Sequence, residues 1–363
     1  MKILLTGANG YVGLRLLPSL LAAGHEVIAL VRNKRRFPLE EFENERLTLC
    51  EGDLLEDING IFPEEIDAAF YLVHSMGSGG EDFVTLEQRA AANFRDALMA
   101  THAKQIIYLS GIVPSEDANR LSPHLASRLS VEHVLGKGEI PVTVLRAPII
   151  VGSGSASFEI IRDLVEKLPV MIAPKWLNTQ CQPIAIRNVI GYLTGVIGDQ
   201  RTYGKIFEIG GPEVLTYREM LLAYADERQL RRFILPLPSM TPRLSSYWLF
   251  FVTSTSYPLA TALVGSMKHD VVCQNNEIRE IVAQDLLSYR EAVAKAFARI
   301  AQNRVPSTWF DAIASGKFHQ RFIEQIRPPE HGVLTDKREF DIVDSVNDCR
   351  ERIWSIGGKR GWY

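Results

Sequence analysis

The chain has 363 residues, more than the 100–200 or so that one domain usually needs. Its 46% hydrophobic and 23% charged residues are ordinary for a soluble globular protein. With 40 Lys+Arg against 43 Asp+Glu the net charge is −3, which speaks against a nucleic-acid partner. The cysteines Cys50, Cys181, Cys273 and Cys349 lie far apart without metal-ligand or redox spacing. No metal is expected, and a reduced, cytoplasmic chain is. The apolar run at the amino terminus stops at Thr6-Gly7, too soon for a signal peptide.

The first element carries the most information. An apolar strand over residues 2–5 runs into Gly7, Gly10 and Gly13, and a helical pattern over 11–23 follows at once. A strand, a glycine turn and a helix N-terminus together suit a dinucleotide pyrophosphate. The first glycine permits the tight turn, the second lets the backbone approach the phosphates, and the third lets helix and strand pack closely. The helix start then points unpaired N–H groups and its positive dipole end at the anion. A purely structural glycine turn is the alternative.

Further strands are predicted at 26–31, 47–50, 68–73, 105–109 and 142–146, with amphipathic helices at 83–101 and 123–135 between them. Near-continuous apolar strands alternating with helices define an α/β protein with a doubly wound parallel sheet. Such sheets bind ligands beyond the carboxyl ends of their strands, so those ends are the places to read. The second strand ends at Val31 and is followed by Arg32, Lys34, Arg35 and Arg36. An acid that would hold the ribose hydroxyls of NAD is missing, and a guanidinium suits the 2′-phosphate of NADP; NADP is expected over NAD. A solvated basic loop is the alternative. After the third strand, Asp53 can reach an adenine amino group or form a turn. The fourth exits through His74-Ser75-Met76-Gly77, and the fifth ends at Ser110-Gly111. On the next helix His124, Arg128 and Glu132 share one face, either as a site or as a solvated stripe.

After residue 152 the rhythm changes, with Pro, Gly and Trp frequent, as in a smaller α/β lobe. Three regions are expected: 1–152 as the nucleotide-binding core, 153–305 as substrate lobe and sheet completion, and 306–363 as a carboxyl-terminal extension. Residues 244–267 carry no charge between Arg243 and Lys268. Ser, Thr and Pro258 interrupt the run, so two buried or surface-seated helices are expected rather than a membrane span. The stretch is also the candidate for peripheral membrane or protein contact. One amphipathic helix is predicted over 284–303.

Together these residues resemble the short-chain dehydrogenase/reductase superfamily in its extended, atypical branch. Thr6-Gly7-Ala8-Asn9-Gly10-Tyr11-Val12-Gly13 resembles its TGxxGxxG fingerprint, and Leu145-Arg146-Ala147-Pro148 with Gly152 its nicotinamide-lining segment. Residues 74–77, 151–158 and 268–270 look like the YbjT-like bacterial subgroup, NAD(P)-binding proteins of mostly unassigned reaction. The resemblance implies a Rossmann sheet. It also implies cofactor contacts from Gly7, Asn9, Gly10, Tyr11, Val12 and Gly13 in the turn, and from Arg32, Arg35, Asp53 and Leu54 on the adenosine side. His74, Ser75, Ser110, Arg128 and Pro148 would lie toward the nicotinamide.

The departures matter as much. Active members use a Tyr with a Lys four residues on, and His124 and Arg128 stand at those positions here. An Arg can still bond the ribose, and a His can move a proton near neutral pH, so Ser110, His124 and Arg128 form the expected catalytic set. Residues 353–363 resemble the start of a helix-grip domain that usually follows in this subgroup. A truncated second domain is therefore expected, with 331–363 weakly packed or docked elsewhere. The leading expectation is an NADPH-dependent reductase of a small apolar carbonyl or quinone-like compound, its pocket lined by Phe158, Trp176, Tyr247 or Trp248. A non-catalytic NADP-binding sensor or assembly protein is the alternative, and a nucleotide-sugar epimerase or dehydratase ranks last.

Overall fold

The computed structural model describes residues 1–42, 44–74, 82–113, 123–173, 175–236, 267, 269–301, 326–327 and 335–336. Two compact units divide the chain, Met1–Lys317 and Phe318–Tyr363. In the second, a pair of antiparallel two-residue strands is described, Ile326–Arg327 with Thr335–Asp336.

The first unit is built on seven parallel strands. They are β1 (Lys2–Thr6), β2 (Glu26–Val31), β3 (Leu47–Glu51), β4 (Ala68–Tyr71), β5 (Ile106–Gly111), β6 (Val142–Ala147) and, after four short strands, β11 (Ile206–Glu208). Their order is β11-β6-β5-β4-β1-β2-β3. Succession reverses at β1, so a crevice opens between the carboxyl ends of β1 and β4, where such sheets bind ligands. This is the Rossmann-like α/β fold expected from the apolar runs.

Those runs are continuous because both sheet faces are covered. Along β1, Ile3 and Leu5 face one side and Leu4 the other. Ile3 and Leu5 join a core with α1 (Gly13–Ala22) and α5 (Ile186–Gly195), while Leu4 joins a second core with α2 (Asp82–Met99) and α3 (Pro123–Leu135). A third core holds the later lobe, where α4 (Ala156–Lys167) and α6 (Tyr217–Glu227) pack with the helix Tyr289–Ala301. Short strands finish this lobe. β7 (Ile150–Val151) pairs with β10 (Ile184–Ala185), β8 (Val170–Ala173) with β13 (Phe233–Pro236), and β9 (Gln180–Cys181) antiparallel with β12 (Leu215–Thr216).

Where boundaries differ from expectation, a specific contact sets them. β4 stops at Tyr71, not Val73, as the chain lifts over the glycine turn. The predicted helix over 284–303 is described from Tyr289, because residues 284–287 are drawn onto α5. There Gln284 Nε2 donates to Asn188 O at 3.1 Å, and Leu287 N to Asn188 Oδ1 at 3.0 Å. The helix then starts on a capping box, with Ser288 N and Oγ bonding Glu291 Oε2 at 2.8 and 2.7 Å and Glu291 N returning to Ser288 Oγ at 3.3 Å. Thr216 and Glu219 do the same for α6. Among the described residues no helix is long and apolar enough to cross a membrane. Of the uncharged stretch 244–267, residues 244–266 lie outside the described residues.

Gln105, expected as the first residue of the fifth strand, precedes β5 and is fully buried. Its Nε2 donates to Thr143 Oγ1 at 2.8 Å, Val196 O at 2.9 Å and Thr202 Oγ1 at 3.2 Å, and its Oε1 accepts from Gly198 N at 2.8 Å. One amide thus ties the sheet to the turn after α5. A leucine in its place takes the acceptor from Gly198 N–H and a donor from the buried Thr143 and Thr202 hydroxyls and from Val196 O. Gln105→Leu is expected to lower unfolding free energy by about 3 kcal/mol, read from urea denaturation; a change under about 1 kcal/mol would contradict it.

Candidate active site

The glycine turn is built by close approach. Gly7 has φ +67°, and a Cβ there would sit 2.6 Å from the Leu72 carbonyl oxygen. A Cβ on Gly13 would come within 2.2 Å of the Gly7 carbonyl oxygen. Only bare backbone lets α1 stand this close over the end of β1. At Gly10 an added Cβ would touch only Gly7 O, at 3.1 Å, so that side of the turn is otherwise open. No side chain caps α1, and its first turn holds no acid. Uncapped amides and an unopposed positive dipole end fit a phosphate group.

Tyr11 and Arg15 fasten this turn to the loop before α4. Arg15 lies 3.9 Å over the Tyr11 ring, and its guanidinium donates to Tyr11 O at 2.8 Å and Ser153 O at 2.7 Å. The Tyr11 hydroxyl is 2.5 Å from where a Gly152 Cβ would be. Burial pushes this phenol up to about 12, against the pull of Arg15. Ser155 caps α4, accepting from Phe158 N at 3.2 Å. Asn9 and Val12 are half-buried in the turn.

On the adenosine side, Arg32 and Arg35 follow β2 directly and are exposed. Asn33 caps the short turn that holds them, accepting from Arg35 N at 2.9 Å. The Glu51 carboxylate at the end of β3 is engaged by Lys34 N at 3.1 Å. Asp53 folds into a local turn, its Oδ1 accepting from Leu55 N at 2.9 Å, while Leu54 is buried in the second core.

The nicotinamide side holds a buried polar layer. Arg128 and Glu132 face the sheet, which settles their shared stripe as an inward one. Arg128 Nη1 donates to Leu109 O at 2.9 Å, and the Tyr108 hydroxyl approaches Arg128 O at 3.5 Å. Burial raises the Tyr108 phenol, and the Arg128 charge opposes the shift. Ser110 Oγ donates to Glu132 Oε1 at 2.7 Å. Arg146, beside Ser110 on β6, grips Glu132 through Nε at 3.1 Å and Nη2 at 2.6 Å. His74 faces inward as well, with Nδ1 3.4 Å from Glu87 Oε2 on α2. Pro148 is half-buried just after β6. The Ser75 position and the His124 side chain lie outside the described residues, although His124 stands in the first turn of α3, one helical turn before Arg128.

Sequence reasoning missed Glu87, and it read Glu132 as part of a stripe without its partner Arg146. Of the expected pocket lining, Phe158 is a core residue, 5.9 Å from Tyr224 and 5.8 Å from Phe297 between ring centroids. The side chain of Trp176, and Tyr247 and Trp248 altogether, lie outside the described residues. Near the β6 exit Ile149, Ser157, Ile160, Leu164, Tyr217 and Met267, among others, line an apolar cavity of about 20 Å³, room for about one water molecule. Among the described residues no cluster of His, Cys, Asp and Glu could hold a metal ion.

Sheet order, switch point and glycine turn define a dinucleotide-binding protein. Residues 7–163 match the NAD(P)H-binding family. A divinyl chlorophyllide a 8-vinyl-reductase of Oryza sativa subsp. indica is 26% identical over 229 residues, 58% of this chain and 54% of that protein. Its Zea mays counterpart is 24% identical over 225 residues, 58% and 55%. The chain spans about half the length of these curated relatives. Among solved structures, a triphenylmethane reductase of Citrobacter sp. matches with TM-score 0.64 at 17% identity, over 82% of this chain and 100% of that one. A UDP-glucuronic acid 4-epimerase of Bacillus cereus, bound to UDP-glucuronic acid and NAD, matches with TM-score 0.62 at 17% identity, over 83% and 99%. These two share the fold.

His74 makes the site sensitive to acid. Burial lowers its proton affinity, Arg128 adds to this, and Glu87 opposes it. The unfolded chain therefore takes up a proton near the ordinary value of 6.5 that the folded chain resists. Stability is full above that value and is lost as pH falls below it. Urea denaturation at about pH 7.5 and about pH 5.5 should show a larger loss for the wild type than for His74→Gln; equal losses would refute the neutral, buried ring.

Proposed function

We propose that this chain is an NADPH-dependent reductase of a small apolar carbonyl, enone or quinone-like compound. The observation that carries this reading is the inward polar face of α3. Arg128 and Glu132 stand at the carboxyl ends of β5 and β6, beside a turn fitted to a pyrophosphate. The reductase names of the relatives in rice and maize and of the Citrobacter structure support it.

In this reading the bound nicotinamide supplies a hydride. The residues of the chain bind, orient and move the proton. Bare amides of the Gly7–Gly13 turn hold the pyrophosphate, and Arg128 reaches the nicotinamide ribose. His124, one turn earlier on α3, supplies the proton, since an imidazole exchanges protons near neutral pH. Arg32, with Arg35 beside it, holds the 2′-phosphate, and no acid ends β2 to favour NAD. The YbjT-like subgroup, with its mostly unassigned reactions, remains the proposed placement.

Purified protein should oxidise NADPH with at least one quinone or enone, and His124→Ala should lower kcat about 100-fold. NADPH bound tightly without turnover across a broad acceptor panel would refute the reductase. It would favour the sensor or assembly protein, a reading that the replacement of the Tyr-Lys pair by His124 and Arg128 supports.

Arg32→Glu should weaken NADPH about tenfold or more, the worth of a charged hydrogen bond, while NADH changes far less. Calorimetry with both nucleotides reads the difference, and equal losses would remove the basis for preferring NADP.

A further inference from the structure

Helix α3 turns one carboxylate inward where two neighbouring strands offer a hydroxyl and a guanidinium. Ser110 and Arg146 are direct partners across β5 and β6. Glu132 accepts from Arg146 at both oxygens, 3.1 and 2.6 Å, and its Oε1 also accepts from Ser110 Oγ at 2.7 Å. Ser110 and Glu132 are buried. A guanidinium only donates and keeps its charge, so the carboxylate it grips in this two-pronged way is ionised and only accepts. The shared proton between Ser110 and Glu132 therefore belongs to Ser110 and points at Glu132. What the hydroxyl offers elsewhere is its lone pairs, to the Tyr108 hydroxyl beside it and to a ligand at the carboxyl end of β5.

We propose that Glu132 is a positioning residue that keeps the Ser110 proton on the α3 side, so that Ser110 meets bound ligand as a hydrogen-bond acceptor and never as a donor. The location of the ligand rests on the reductase reading above; the polarity of Ser110 does not. Ser110 then does not polarise a substrate oxygen. The group facing it carries an N–H or O–H, as a carboxamide or an alcohol does, and it belongs either to the cofactor or to the substrate.

Glu132→Gln reverses this polarity. Arg146 makes its shorter contact through Nη2, 2.6 Å, at the Oε2 place, and takes the amide oxygen there. The amide NH2 then faces Ser110, which accepts from it and turns its own proton outward against the ligand's donor. The full chain is compared as wild type, Glu132→Gln, Ser110→Ala and the double variant, by calorimetry with NADPH and by kcat and KM with a reducible quinone or enone. Glu132→Gln should weaken one ligand about tenfold or more. The NADPH affinity moves if the donor is on the cofactor, and KM if it is on the substrate. Ser110→Ala should change that same quantity only about threefold and leave kcat within about fivefold, the scale of one neutral hydrogen bond. Adding Ser110→Ala to Glu132→Gln should recover most of the loss, because the opposed donor is gone.

A fall in kcat of about 100-fold in Ser110→Ala, as for a donor to a developing oxyanion, would overturn the proposal. So would a Glu132→Gln variant that binds both ligands like the wild type. If Glu132→Gln does not fold, the size of the Ser110→Ala effect on kcat decides alone. If the wild type turns nothing over, the reductase reading fails separately, and the NADPH affinities still decide: identical values in wild type and variants overturn the assignment.

Discussion

Everything in the first unit depends on how near α1 comes to the end of β1. The Gly7 carbonyl lies where a Gly13 side chain would begin, and the Leu72 carbonyl where a Gly7 side chain would begin. Both contacts are backbone on backbone, so neither can relax by rotating a side chain. The approach brings uncapped amides to the sheet's switch point and carries Tyr11 against Gly152. The anion-ready turn and the loop that starts the later lobe are thus set by the same packing event. An NAD(P)H-binding domain follows from that geometry with little contribution from side-chain chemistry.

The opposite holds at β5 and β6, where side chains decide. Sheet–helix interfaces are normally apolar, and deeper in the same interface this one is: Val131 and Leu135 of α3 pack with Tyr108 and Val144. Toward the carboxyl ends of the strands the contacts become Arg128 on Leu109, Glu132 on Ser110, and Arg146 on Glu132. Burying charged groups costs several kcal/mol each unless they are paired and hydrogen-bonded. Glu132 and Arg146 are paired, but Arg128 holds a backbone carbonyl and its buried Nε has no partner, and replacing even a buried pair by well-packed apolar residues is often neutral or stabilising. Fold stability alone gives little reason for the layer, and a bound ligand at the strand ends gives a better one.

Much of this was legible in the sequence. The six strands expected before residue 152 all occur, because strands covered on both faces must be apolar throughout. The spacing of His124, Arg128 and Glu132 announced one helical face. Periodicity says which residues share a face, however, and not what that face meets. The meeting of Glu132 with Arg146 depends on the β5–β6 register, in which Ser110 stands beside Arg146, and that register is not written locally. The start of the helix at Tyr289 was legible in principle. Ser288-Tyr289-Arg290-Glu291 repeats the capping box of Thr216-Tyr217-Arg218-Glu219. Phe158 was misassigned because an aromatic residue on an amphipathic helix suits a pocket wall and a core equally well.

The seventh strand ties the two halves of the first unit together mechanically. Ile206–Glu208 adds to β6 from a point in the chain well past α5, and Ile209 N reaches the Arg146 carbonyl at 2.9 Å. The backbone of Arg146 is thereby anchored from the later lobe, while its guanidinium grips Glu132 on the nucleotide side. A rearrangement of the later lobe that drags this strand by a fraction of an ångström reaches the Ser110 hydroxyl through only three residues. Divergence toward new ligands in that lobe is then not modular: it retunes the chemistry at the strand ends as a side effect.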